Sequence, residues 1–183
     1  MYAKYRRSRL LGRKGSFGFP KYSFTSSNAL SESESTVGQG GPAVEPFYEV
    51  RTFEAAADAV NNSDQSLVAI YYKQEVFRQR DDAKFHDQRG YLIYDKKNQM
   101  VYNSYCVPRA VCVVAEGKAG TKMTLTAPSR GIAESAYMTT NATTQAFSMT
   151  IEIGQDTFSY TQTTKLSSYG KDFSYRCSNI RTS

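Results

Sequence analysis

The residues able to carry chemistry are few, and their scarcity narrows the options. His86 is the only histidine. Any site needing two imidazole ligands is therefore excluded, and a Ser-His-Asp triad would have to use His86. A lone histidine in a strand or turn reads first as a hydrogen-bonded structural residue, with Asp87 beside it to orient it, and second as a metal ligand. The cysteines are Cys106, Cys112 and Cys177, with no Cys-x-x-Cys pair. That spacing supports neither a zinc site nor a disulfide framework. Cys106 and Cys112 read as small core residues, and the chain as one of a reducing compartment. The sequence shows no paired carboxylates, phosphate-cradling glycine motif or nucleophile elbow.

Charge divides the chain. Lys and Arg number 23 against 17 Asp and Glu, a formal net of +6. Residues 1–31 hold Lys4, Arg6, Arg7, Arg9, Arg13, Lys14 and Lys21 and no acid, so the rest is close to neutral. A body of this kind does not grip nucleic acid across a broad basic face. Residues 1–44 read as a basic, aromatic-interleaved arm followed by a flexible linker rich in Ser and Gly. Residues 45–183 are long enough for one domain with a real core.

Any site must be positioned by strands. In residues 147–153, Phe147, Met149, Ile151 and Ile153 take one face, with Ser148, Thr150 and Glu152 on the other. This period-2 pattern marks a half-buried strand. Phe158 and Tyr160 repeat it, and similar runs lie near 47–54, 66–79, 89–94, 99–107, 110–116, 121–127 and 172–181. Tight turn signals separate them, such as Lys96-Lys97-Asn98 and Gly117-Lys118-Ala119-Gly120. Residues 53–61 are the one stretch with helical character, and they read equally as a loop turn. The pattern predicts an all-β fold, either an up-and-down barrel or a sandwich, and closure into a barrel removes the exposed edges. Gln162 and Thr164 continue the inner register of Phe158 and Tyr160. They point to a solvated or ligand-filled cavity, or else to positions near the rim.

Several segments then follow one another in a telling order. Phe47-Tyr48-Glu49 leads into Thr52-Phe53-Glu54, followed by Phe85-His86-Asp87 with Gly90-Tyr91, and by Pro108-Arg109. Further on come Gly131-Ile132 with Ser135 and Met138, Asp156-Thr157 with Ser159-Tyr160, Thr163-Thr164, and Tyr169-Gly170-Lys171. In order and spacing, residues 45–179 resemble the nitrobindin-like heme-binding β-barrels, most closely their bacterial branch. The resemblance implies a fatty-acid-binding-protein-like, calycin-like antiparallel up-and-down β-barrel of about ten strands. It also implies a cavity at one end, heme b as cofactor, and nitric oxide or peroxynitrite chemistry if heme is bound. Two departures stand out. The family opens on a Trp-bearing strand, and this chain has no Trp. Its first strand is formed by residues 16–24 or is missing. The family's heme-ligating His, on the last strand, is matched here by Tyr175.

Within that resemblance, Tyr175 is the candidate ligand to heme iron, because a tyrosinate binds ferric heme when a cation helps to deprotonate it. Its other reading is a wall residue of a barrel that has lost heme. Arg109 is a candidate for a heme propionate or ligand carboxylate through its forked donors, or a solvated surface residue. Met138, with Tyr137, forms part of a lid on the cavity or a packed loop. A heme-free carrier of an apolar small molecule is the alternative, with Gln162, Thr164 and Arg109 holding a polar head. A third reading makes the protein nucleic-acid-associated or structural, acting through its arm. The arm also reads as an organellar transit peptide or as a solvated tail. No apolar run reaches the ~18–20 residues of a membrane helix, and the start lacks a signal-peptide apolar segment. The expectation is a cytoplasmic protein, with organellar targeting by the arm and homodimer formation left open.

Overall fold

A computed structural model describes the backbone of residues 21–33, 43–56, 66–155, 157–167 and 172–182, and the side chains of residues 47–56, 66–155 and 157–167. The strands are β1 (Lys21–Ser33), β2 (Ala43–Ala55), β3 (Leu67–Arg78), β4 (Lys84–Asp95), β5 (Met100–Val107) and β6 (Val111–Lys118). They continue as β7 (Lys122–Thr126), β8 (Ile132–Glu134), β9 (Thr144–Ile153), β10 (Thr157–Leu166) and β11 (Asp172–Thr182), with the helix α1 (Ala136–Asn141) between β8 and β9. All pairings are antiparallel, and the sheet closes on itself. Its order is β5-β4-β3-β2-β1-β11-β10-β9-β7-β6-β8, and an additional β5–β6 pairing joins the ends. Because β8 only borders β6, the other strands form the ring. This is the calycin-like barrel expected from the alternation.

The alternation explains the closure. Phe147, Met149 and Ile151 of β9 and Phe158 and Tyr160 of β10 all point into the core, as do Tyr105 of β5 and Val111, Val113 and Ala115 of β6. Gly90 of β4 lies directly opposite Tyr105 of β5. A Cβ there would meet the Ser104 carbonyl oxygen at 2.1 Å and the Tyr105 Cα at 2.6 Å. Its lack of a side chain leaves room for Tyr105. The β4–β5 turn is held by Asp95, whose Oδ1 accepts from the backbone N–H groups of Lys97 at 3.1 Å and Asn98 at 3.2 Å. Gln99 completes that turn with a φ of 55°.

Three local expectations are corrected. First, β1 (Lys21–Ser33) lies within the stretch whose composition reads as arm and linker. It pairs with both β2 and β11, so it supplies the missing first strand. Its polar sequence hides it, because strand identity there comes from two flanking ladders rather than from apolar alternation. Second, Cys106 and Cys112 are not core residues. They face outward, directly opposite each other in the β5–β6 hairpin, and form a disulfide with Cα atoms 4.1 Å apart. Parity decides this, since Tyr105, Val111 and Val113 take the inner positions. Third, the helix among the described residues is α1, and the start of the 53–61 stretch is strand. Residues 53–55 end β2, and residues 57–65 lie outside the described residues. Ser135 caps α1, its side chain accepting from the Met138 N–H at 3.3 Å. Among the described residues no helix is long and apolar enough to cross a membrane.

Candidate functional site

Two rungs of the sheet bring polar side chains into the interior. Arg51, Gln74 and Gln88 stand opposite one another across β2, β3 and β4. One rung further on, Glu49, Val76 and His86 do the same. Residues directly opposite share a face of the sheet, so all six point inward. Tyr160 and Gln162 of β10 reach the same region from across the barrel.

Glu49 and Arg51 are each 1 % exposed, and the Arg51 Nε donates to Glu49 Oε1 at 3.0 Å. A buried carboxylate needs this kind of company. The other oxygen, Oε2, accepts from Gln74 Nε2 at 2.9 Å and from the Tyr160 hydroxyl at 2.5 Å. Gln74 Nε2 also donates to the Tyr160 oxygen at 2.9 Å. The Arg51 guanidinium lies over the Tyr160 ring, 4.2 Å from its centroid, so cation–π attraction adds to the ion pair. A second chain of bonds runs beside the first. Gln88 Nε2 donates to the Tyr72 oxygen at 2.5 Å, and Tyr72 donates to Asn103 Oδ1 at 2.9 Å. Burial pushes the Tyr72 phenol up to about 12, so it stays protonated and keeps that donor role. Burial also lowers the His86 imidazole, which is neutral at pH 7.

Part of this network lines a cavity of about 20 Å³. Its polar side is made by Glu49, Gln74, His86, Tyr160 and Gln162, and its apolar side by Phe47, Val76 and Phe85. Phe85 packs edge-on against Phe47, with centroids 6.4 Å apart, and is 45 % exposed, which puts it at the mouth. A second hollow of about 300 Å³ lies between β7, β8, α1 and β9, bordered by Glu134 and Thr143. Burial works against ionisation of the Glu134 carboxyl, but hydrogen bonds from Thr143 and Thr144 more than offset it and lower its pKa.

The residues singled out from sequence fall into three groups. Gln162 does line the cavity, and Thr164 is half-buried further along the same face. Arg109 is exposed in the turn between β5 and β6, and Met138 is buried against the core from α1 while Tyr137 is 72 % exposed. Neither Arg109 nor Met138 borders the cavity. Tyr175 stands opposite Gln162 in the β10–β11 register, and its side chain lies outside the described residues. The basic arm, residues 1–20, lies outside them as well. Asp87 does not orient His86. Neighbours on a strand face opposite ways, and Asp87 instead pairs with Lys84 at 2.9 Å and Arg89 at 2.9 Å on the outer surface. The His86 Nε2 is instead 3.4 Å from Gln88 Oε1. Among the described residues no three His, Cys, Asp or Glu groups come together to hold a metal.

Glu49, Arg51, Gln74, Gln88 and Asn103 are missing from the sequence-based candidates. A signal existed for the first two, because Phe47, Glu49, Arg51 and Phe53 share one parity on β2. Opposite charges two apart, flanked on the same face by phenylalanines, mark an inward ion pair.

A ring of antiparallel strands with this interior has relatives. The model for the THAP4-like, heme-binding beta-barrel domain matches residues 33–179. The chain belongs to this family. The match covers the body of the barrel and agrees with the nitrobindin-like resemblance of its motifs. Among solved structures, Rv2717c from M. tuberculosis superposes with a TM-score of 0.56 and 14 % sequence identity, over 90 % of this chain and 92 % of that chain. At that identity the likeness is one of fold. Among curated proteins none matches the sequence significantly.

This heme-binding barrel family supports binding of a small ligand in the interior. Heme itself does not fit the described side chains as they stand. Ligand pockets typically measure roughly 300–1,000 Å³, whereas the cavity among the described side chains of β2, β3, β4 and β10 is about 20 Å³, close to a single water. Its floor also carries a carboxylate and two amides rather than apolar contacts for a macrocycle.

Proposed function

We propose that this THAP4-like barrel is a heme-free binding protein for one small ligand with an apolar body and a polar head. The observation that carries the proposal is the pairing of an apolar wall, Phe47, Val76 and Phe85, with a buried polar floor of Glu49, Gln74, Tyr160 and Gln162. A packed core would avoid such a floor, since each buried polar group needs partners. The floor is pre-organised by the Arg51 ion pair and by hydrogen bonds from Gln74 and Tyr160, which cuts the ordering cost of binding. Arg109 has no place in this reading, because the head lies inside the barrel.

The test sets two titrations of the full chain side by side. Hemin is expected to give no saturable Soret band. An uncharged apolar fluorescent probe with an N–H group, N-phenyl-1-naphthylamine, is expected to bind at 1:1 and to be lost in Phe85→Asp. A 1:1 hemin complex whose spectrum moves in Tyr175→Phe would overturn the heme-free reading. It would also bring back the nitric oxide and peroxynitrite chemistry that the family resemblance implies.

A further inference from the structure

Two buried acceptors on residues that line the cavity are left without a hydrogen-bond partner. The orientation of Gln74 is fixed, because its Nε2 donates to both Glu49 and Tyr160. Its Oε1 is therefore turned the other way, and this buried oxygen has no partner, in a side chain only 4 % exposed. Gln162, 6 % exposed and opposite the Gln74 strand, also presents a buried Oε1 without a partner. Both residues line the same cavity, together with the Glu49 carboxylate. The buried donor atoms without a hydrogen bond, Arg51 Nη2 and Arg78 Nε, sit on side chains that do not line the cavity. The Tyr160 hydroxyl and the Gln74 amide N–H groups go to Glu49 and to each other. The unmet need is for hydrogen-bond donors. An anionic head would add acceptors to a floor already rich in them, and buried unpaired acceptors are costly.

We propose that the head of the ligand is an N–H donor, a primary amine or primary amide, seated between Gln74 Oε1 and Gln162 Oε1. This rests on the small-ligand reading above and names the class of ligand that the site selects. An ammonium offers three donors and a primary amide two, whereas a carboxylate offers none. The volume of about 20 Å³ suits one such head and no larger group. The apolar tail leaves past Phe47 and Phe85.

The experiment is calorimetry on the full chain with hexylamine, hexanamide and hexanoate, which share a tail and differ in the head. Hexylamine and hexanamide are expected to bind at 1:1, and hexanoate at least tenfold more weakly. Gln162→Met keeps the side-chain length and removes the acceptor, and it is expected to weaken the two donors about tenfold while leaving hexanoate unchanged. Gln162→Glu is expected to tighten hexylamine relative to hexanamide, which keeps the test alive if the Met variant folds poorly. Equal binding of all three probes would overturn the donor-head assignment while leaving the ligand pocket standing. Hexanoate as the tightest binder would overturn it as well. Failure of all three to bind would overturn both readings.

Discussion

Arg51→Met tests the centre of the barrel most directly. The guanidinium is 1 % exposed, bonds Glu49 Oε1 at 3.0 Å and covers the Tyr160 ring at 4.2 Å. Methionine fills most of the volume but leaves the Glu49 carboxylate buried without its counter-charge. Breaking a buried ion pair from one side costs about 3–5 kcal/mol. In a domain of this length each kcal/mol lowers Tm by about 2–4 °C, so a loss on the order of 10 °C is expected. The double variant Glu49→Gln/Arg51→Met removes both charges and keeps an acceptor for Gln74 and Tyr160. It is expected to recover at least about 2 kcal/mol of that loss, because what is costly is the orphaned charge. Urea unfolding of the wild type, both single variants and the double variant closes the cycle, provided the m-values agree. A coupling below about 0.5 kcal/mol would refute the reasoning. It would mean that Glu49 and Arg51 are solvated independently rather than as a pair.

Three further outcomes follow from features on other faces of the barrel. The hydrogen bond from Arg89, aided by Lys84, holds the Asp87 carboxyl at about 2, so its contribution is full above about pH 4 and fades as the pH falls towards 2. Asp87→Asn should flatten stability across that window by less than about 1 kcal/mol, since the cations face water, and an NMR titration with a midpoint near 4 would contradict this. Gly90→Ala drives a Cβ to 2.1 Å from the Ser104 carbonyl oxygen; the β4–β5 ladder must shift, and thermal melting should show a loss of about 1–3 kcal/mol. Replacing Cys106 and Cys112 by Ser removes a cross-link that closes only the short β5–β6 turn. The expected cost is about 2 kcal/mol in urea unfolding, with the wild type falling to the same level in dithiothreitol.

The barrel was legible wherever alternation was clean. Phe147, Met149 and Ile151 on β9, with Phe158, Tyr160 and Gln162 on β10, sit on the inner face that their period-2 spacing predicts. The turns were legible for local reasons, as at Asp95 through Asn98. β1 was not, because Ser-rich strands gain their identity from the partners on either side rather than from their own residues. The site was legible only in part. Gln162 could be placed by register, but Glu49 and Arg51 look like surface charges until the parity of Phe47 and Phe53 is followed across them. Gln74 and Gln88 enter only through tertiary pairing with β2 and with each other. The Cys106–Cys112 bond escaped for a related reason, since cysteines six residues apart become neighbours only once Pro108 and Ala110 set the hairpin turn.

The ring is not equally strong all the way round. β5 and β6 pair from Met100 and Lys118 through to Val107 and Val111, whereas β6 meets β7 at the single pair Glu116 and Thr126. The start of β6 is occupied by β8 instead. A cylinder with one short seam breathes there first. Amide hydrogen exchange should therefore find its fastest protected protons along the β6-facing edge of β7, while β2, β3 and β4 exchange slowly. Volume beyond the small interior cavity would then come from parting that seam, with the Glu49–Arg51–Gln74 floor held in place by the β2–β3 and β3–β4 ladders.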